Sequence, residues 1–376
     1  MKKLLSLLVV LFCAFSFFGC GGGAEDTVNI GMIGPFSGSL ATYGNTAKNG
    51  AMIAIEEINA NGGILGKQIK VFAEDDQGEA DQVLSAYNKI VDEVDFIFGE
   101  ITSGNSEILA AQAQKDGVPT MSPSATAKSV TEGRSYVFRT CFLDPDQGEA
   151  MAKFAKDTLK VASAVVAYDQ SDDYSKGVAE AFKAKAENLG VTIKLYDGGL
   201  KAGESTYATL VETVKNADAD CVFAPVYYED VAVFAKELRA AGYTKPLLGA
   251  DGYDGVLGQL AGTGDYSCVN NTFFSSHYSV SDEKVQAFIA KYVEKYGEEP
   301  AVFAALGYDA IYMIKQAMEE AASTDKEAVK DALAAIDFKG GLTGDIVFDD
   351  NNNPIKTICV NEYVDGKMVL KEKITK

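Results

Sequence analysis

The sequence predicts an α/β protein made of two doubly wound lobes with parallel sheets, and three observations predict it. Short apolar runs alternate with longer amphipathic segments from Thr27 onward. The alternation forms two series that meet at Asp144-Pro145-Asp146. The tail then changes to three helical stretches followed by two strands, enough to finish both lobes. Alternation of this kind implies parallel strands joined by right-handed helical crossovers. With 376 residues, 47% of them apolar and 23% charged, the chain can bury two cores and is too apolar for disorder.

The first segment reads as an address. Met1-Lys2-Lys3 precedes an apolar run from Leu4 to Phe18 and then Gly19-Cys20-Gly21-Gly22-Gly23. A basic start, a short apolar core and small residues at the end describe a secretory signal over residues 1–19, too short for a comfortable membrane span. The Gly-Cys junction resembles a bacterial lipoprotein processing site, with Cys20 lipidated and residues 20–26 acting as a flexible tether. The alternative is ordinary secretion with an incidental cysteine.

In the first series, Val28–Gly34 is expected to be a buried strand. Leu40, Tyr43, Ala47, Ala51, Ala54, Ile55 and Ile58 then recur at helical spacing and stop at Asn61-Gly62-Gly63. Strands are expected at Gln68–Ala73, Asp95–Phe98 and Pro119–Met121, and helices at Glu79–Val91 and from near Ser106 to Asp116. The second series places strands at Ala162–Ala167, Val191–Tyr196, Cys221–Ala224 and Pro246–Gly249. Its helices fall at Glu149–Thr158, Lys176–Asn188, Ser205–Asn216 and Asp230–Ala241. The tail has helices at Asp282–Tyr296, Val302–Ala321 and Lys326–Ala335, then strands near Asp345–Phe348 and Thr357–Tyr363.

Composition excludes several kinds of chemistry. There are 54 acidic and 34 basic side chains, a net charge of −20, which argues against a nucleic-acid partner because phosphate binding needs Lys and Arg. A single histidine, His277, rules out multi-histidine metal sites and leaves little for a Ser-His-Asp mechanism; it reads as a surface or packing residue. Neither a GxxxxGK[ST] nor a GxGxxG after a strand is present, and Gly34-Pro35-Phe36-Ser37-Gly38 is not a nucleophile elbow. Cys141, Cys221, Cys268 and Cys359 form no CxxC pattern and read as buried thiols. Asp75-Asp76 and the run Asp349–Asn353 lack EF-hand spacing and read as turns, and Glu100 as a solvated loop carboxylate.

Ligands of open parallel sheets bind beyond the carboxyl ends of the strands. Four such ends carry more small polar residues than turns require: Gly34–Gly44, Gly99–Asn105, Ser122–Thr126 and Gly249–Tyr253. Hydroxyls and free N–H groups at helix starts suit a carboxylate, and an aspartate opposite suits an ammonium group. A zwitterion needs both.

The runs Ile30–Gly38, Tyr43-Gly44, Glu57–Gly66, Pro123-Ser124-Ala125-Thr126, Phe138-Arg139-Thr140, Asp144–Gly148 and Leu306–Ala310, in this order and spacing, resemble the leucine/isoleucine/valine-binding proteins. These are type I periplasmic binding proteins of branched-chain amino acid ABC transporters. The resemblance implies two Rossmann-like lobes joined by three hinge crossovers, near Cys141, Phe274 and Pro354. Lobe 1 is then 27–141 plus 275–354, and lobe 2 is 142–274 plus 355–376. It also implies a non-enzymatic, monomeric carrier that needs neither cofactor nor metal and hands an aliphatic, branched-chain amino acid to a membrane permease.

Residue by residue, Ser103 and Thr126 match the hydroxyls that hold the α-carboxylate. Ser124 and Ile101 match backbone contacts, Ser124 through its carbonyl to the ammonium. Asp251 matches the acid that pairs with the ammonium, and Tyr43, Tyr174 and Tyr227 match the aromatics that line or close the pocket. Read without the resemblance, Ser124 and Thr126 cap a helix, Ser103 competes in register with Asn105 and Ser106, Asp251 is a turn residue, and one of Tyr227-Tyr228 is packing. Some relatives carry a disulfide early in lobe 1; here Asp76 and Thr102 lie in that region and no cysteine pair is available. The other functional readings are a binder of an amide, urea or aromatic compound, a nucleotide-using enzyme, and a sensory ectodomain.

Overall fold

The computed structural model describes residues 26–375; the expected signal segment, Cys20 and the tether up to residue 25 lie outside them. The first series runs β1 (Val28–Gly34), α1 (Ala41–Ala60), β2 (Ile69–Asp75), α2 (Ala80–Ile90), β3 (Phe96–Gly99), α3 (Ser103–Asp116), β4 (Thr120–Ser122) and β5 (Val137–Arg139). These five strands form one sheet in the order β2-β1-β3-β4-β5, every neighbouring pair parallel. Strand order reverses at β1, between β2 and β3, which opens a crevice at the carboxyl ends.

The second series runs α4 (Asp144–Asp157), β6 (Ser163–Ala167), α5 (Asp173–Asn188), β7 (Thr192–Asp197), α6 (Ala208–Ala217), β8 (Cys221–Phe223), α7 (Tyr228–Ala240), β9 (Leu247–Gly249), α8 (Val256–Leu260) and β10 (Thr272–Ser276). Helices α9 (Glu283–Tyr296), α10 (Phe303–Ala321) and α11 (Lys326–Ala334) follow, then β11 (Asp337–Gly341), β12 (Gly344–Val347), β13 (Ile358–Val364) and β14 (Lys367–Ile374). The second sheet is ordered β14-β13-β10-β9-β8-β6-β7; its run β10-β9-β8-β6-β7 is parallel and repeats the first sheet's winding. β13 and β14 add to it antiparallel, and β11 and β12 form a separate ribbon.

Burial follows the layers. β1, β3 and β6 are interior strands and almost wholly buried, as sheets covered on both faces require. The tail helices belong with the first sheet: α10 lies along α1 at a distance only glycine permits. A Cβ on Gly50 would stand 1.9 Å from the Ala304 carbonyl oxygen, and one on Gly307 2.2 Å from that of Ala47. The chain leaves the first sheet after Arg139 and the second after Ser276, and enters the second again at Ile358. Buried Lys356 ties two of these passages, donating to the Thr140 carbonyl at 2.9 Å and to the Thr343 hydroxyl at 2.5 Å.

Several helices begin earlier than their apolar periodicity indicates, and the reason is local. Residues read as turn are first-turn residues: Asp144-Pro145 opens α4 with Pro in the first turn, and Asp172 caps α5 by accepting from the Ser175 N–H at 2.7 Å. α3 starts at Ser103 rather than near Ser106, with Thr102 as an extended N-cap residue. β5 is three residues long, too short to show alternation in sequence. The four cysteines of the described residues are buried free thiols.

Candidate functional site

Six parallel strands deliver the expected site residues. Tyr43 follows β1 in α1, Ile101 and Ser103 follow β3, and Ser124 and Thr126 follow β4. Tyr174 follows β6 in α5, Tyr227 precedes α7 after β8, and Asp251 follows β9 in a short 3-10 turn. All eight line one cavity, together with Thr102, Gly252 and Phe303. As it stands the cavity has a volume of about 10 Å³, room for no more than a water, against the roughly 300–1,000 Å³ of ordinary small-molecule sites, so its walls have to part to admit a solute. A broader groove of about 1,230 Å³ of open space runs between α4, α5 and residues 127–129, but its charged walls face solvent. Specific small-solute sites are enclosed, so the small cavity is the better candidate.

One wall is neutral. Ser103 is the first residue of α3, so the helix N-terminus and its unpaired N–H groups face the cavity region. The Ser103 hydroxyl accepts from the Ala127 N–H at 3.1 Å, leaving its own proton to donate. The Ser124 hydroxyl donates to the Ile101 carbonyl at 2.7 Å, so this side chain ties the wall together. Arg139, fully buried, donates to the carbonyls of Ala125 and Ala127 at 2.5 and 2.8 Å and braces the loop from behind. Desolvation lowers the guanidinium's pKa from its usual high value.

Behind that wall the structure corrects one expectation. Glu100 is no solvated loop residue; it is fully buried beside Asp76, also fully buried. Its Oε2 accepts from the Thr102 N–H at 2.6 Å and the Thr102 hydroxyl at 3.0 Å. Burial, then the neighbouring Asp76 charge, pushes the Glu100 carboxyl well up, and burial pushes Asp76 up to about 6. A pair of buried acids, linked by Glu100 to Thr102, thus stands behind the neutral wall. Asp75 does form a turn, accepting from the N–H groups of Phe36, Ser37 and Gln77. Asp349 does the same for Asn351 and Asn353.

The other wall is acidic and aromatic. Asp251 is 2% exposed, and its N–H donates to the Gln147 side-chain oxygen at 3.1 Å. The Tyr174 hydroxyl accepts from the Gly252 N–H at 2.8 Å, and Tyr174 stacks on Tyr227 with centroids 5.0 Å apart. Asp144 lies beside the Thr126 hydroxyl and is pushed well up, by burial first. Desolvation likewise raises Tyr43, Tyr174 and Tyr227 well above the usual phenol range, so all three are neutral hydroxyls at neutral pH.

Of the two readings of His277, surface or packing residue, the structure takes the packing one: it is buried, and its Nε2 lies 2.9 Å from Asp251 Oδ2. Nothing in its sequence context signals this; the partners are 26 residues apart and on different segments. Phe303, which lines the cavity from the start of α10, was equally hidden.

The two walls touch. Tyr43, from α1, donates its hydroxyl to the Gly252 carbonyl at 2.5 Å and accepts from the Tyr228 N–H at 3.2 Å. The Tyr228 hydroxyl donates to the Ser39 carbonyl at 2.6 Å, and Asp254 accepts from the Val302 N–H. This is a closed cleft between two wound sheets, with a polar helix start facing a carboxylate.

A family model described as periplasmic binding protein matches residues 27–367. The chain belongs to this family. Its members are solute-binding proteins and not enzymes. A relative in Pseudomonas aeruginosa, the leucine-, isoleucine-, valine-, threonine- and alanine-binding protein, is 29% identical over 361 residues, covering 94% of both chains. Among solved structures, the leucine-binding protein LivK of Thermotoga maritima is similar with a TM-score of 0.86 and 30% identity, covering 93% of this chain and 99% of that one. The branched-chain amino acid transporter substrate-binding protein LivJ of Streptococcus pneumoniae, in complex with isoleucine, has a TM-score of 0.84 and 33% identity, covering 93% and 100%. The fold is that of the type I periplasmic binding proteins.

Proposed function

We propose that this protein captures an aliphatic, branched-chain amino acid between its lobes and delivers it to an ABC transporter permease. The observation that carries the reading is the polarity of the cavity. Neutral donors at the start of α3 and in the β4 loop stand on one wall, and Asp251 stands on the other. That arrangement suits the carboxylate and ammonium of an α-amino acid, each met by a group of opposite polarity. Ser103 and Thr126 bind the carboxylate; the Ser124 carbonyl assists at the ammonium, which Asp251 pairs, and Ile101 adds a further backbone contact. Tyr43, Tyr227 and Phe303 enclose an apolar side chain once the walls have parted to admit it. The names of the relatives point to the same ligand class.

Lobes 27–141 plus 275–354 and 142–274 plus 355–376 close about three hinges, so that Tyr43 meets Gly252 only in the closed form. The protein works outside the cytoplasm as a monomer, held to the membrane by lipid on Cys20. Calorimetry on ligand-stripped protein tests the reading, with mass spectrometry of the solute released on denaturation. Binding of leucine, isoleucine, valine or alanine supports it; binding of amides or aromatic acids with all four ignored overturns it.

A further inference from the structure

His277 is the only histidine in the chain, and the reading above leaves it without a task. Its ring is stacked on Phe142 with centroids 3.8 Å apart and lies against Phe303, a wall of the cavity. Nε2 faces Asp251 Oδ2 at 2.9 Å. A carboxylate only accepts, so this nitrogen carries the ring's proton. The other nitrogen, Nδ1, is buried and has no hydrogen-bond partner among the described residues. A second proton there would be a donor enclosed with nothing to receive it.

The surroundings agree with a neutral ring. Burial holds the imidazole below its ordinary pKa, ahead of the opposing pull of Asp251, and Lys356 adds to the lowering. Asp251 in turn feels Asp144, Asp254, Tyr43 and Tyr174.

The geometry points to His277 as the positioning residue of the ammonium site: its Nε2–H holds Oδ2 of Asp251 so that Oδ1 meets the ligand cation, and a second proton on the ring competes with that cation for the same carboxylate. This rests on Asp251 receiving an ammonium group. Ligand and proton then oppose each other through one shared acceptor. By linkage, a bound ammonium lowers the proton affinity of His277 by the factor by which protonation lowers ligand affinity. The ligand is released more readily in acid.

The test titrates L-leucine into the protein by calorimetry from about pH 8 down to the lowest pH at which the protein stays folded, because the ring titrates below the ordinary imidazole value. The ring resonances are followed by NMR in the same samples, and a single histidine makes them unambiguous. The expected result is a ring pKa that falls when leucine is added. Affinity drops with pH through the free ring's pKa, by at most about tenfold per pH unit. Asp144 and Asp254, the latter pushed up to about 7 by burial, contribute their own slope, so the variant comparison isolates the ring. His277→Gln, which offers a donor that does not titrate, loses the component that coincides with the ring. His277→Phe, which keeps the stack and loses the donor, binds leucine about tenfold more weakly at about pH 8, the loss of one charge-assisted hydrogen bond. A ring pKa unmoved by bound leucine, or a full slope retained in His277→Gln, overturns the proposal while the amino-acid reading stands. Failure of leucine, isoleucine, valine and alanine to bind at every pH overturns both. The NMR measurement needs only the wild-type protein and decides the matter even if a variant misfolds.

Discussion

The two walls of the cavity are built on different principles. The wall of Ile101, Ser103, Ser124 and Thr126 consists of neutral dipoles that the α/β crossover itself supplies: β3 ends, α3 begins, and its first N–H groups are unpaired. The wall of Asp251 carries an ionisable group in a desolvated place, and four distant segments hold it. Gln147 accepts its N–H, Tyr174 accepts from the next N–H, His277 faces its carboxylate, and Tyr43 reaches over from the other lobe to Gly252. Neutral recognition thus comes with local structure, whereas a buried charge has to be assembled from far apart.

Removing the charge tests that contrast most severely. Asp251→Asn is expected to weaken leucine binding at least about a hundredfold, because breaking one side of a buried charge pair costs about 3–5 kcal/mol. Calorimetry measures it, and thermal melting should show the same cooperative unfolding. A loss below tenfold would mean that the two walls do not differ in kind.

The second test asks what lies behind the neutral wall. The Asp76–Glu100 pair is raised in the folded protein, Asp76 to about 6. For an acid with a raised folded pKa, stability is highest below the unfolded value near 4 and falls as pH rises to the folded value. Wild-type protein should therefore lose stability between about pH 4 and 6. Asp76→Asn should remove much of that loss and be more stable above about pH 6 by about 1–3 kcal/mol, with convergence near pH 4, as read by urea unfolding across pH. The opposite sign would show that the Asp76 carboxylate stabilises the folded protein once it is ionised.

Single neutral contacts should matter less. Ser103→Ala and Thr126→Val are each expected to weaken leucine about five- to tenfold, the worth of one hydrogen bond of about 1 kcal/mol. Ser124→Ala should change affinity by less than about threefold, since its hydroxyl is engaged with Ile101 inside the wall, and lower stability by about 1 kcal/mol. A Ser124 effect equal to that of Ser103 would show that its hydroxyl, and not its carbonyl, meets the ligand.

Legibility divides along the same line as the walls. Loop residues after β1, β3, β4 and β9 stand out in the sequence because small polar residues accumulate where strands end and helices start. Gln147 lay within a run recognised for its order and spacing, but its grip on Asp251 and Ser275 did not show. Glu100 was misread, and His277 was left between surface and packing, for one reason: exposure of a residue outside regular structure has no period. A carboxylate in a loop is ordinarily solvated, and only the packing of β2 and β3 ends puts Asp76 against Glu100.

By itself the sequence determined the alternation of strands and helices, hence two wound sheets, and the strand ends whose loops line the cavity. These follow from periods of two and 3.6 residues and from turn chemistry, all of them local. Tertiary structure alone decided which loops from the two sheets meet, that Tyr43 bridges them, and that Asp251 shares its carboxylate with His277. Such pairings depend on the convergence of segments remote in the chain and on the loss of water between them, which changes what a charge costs.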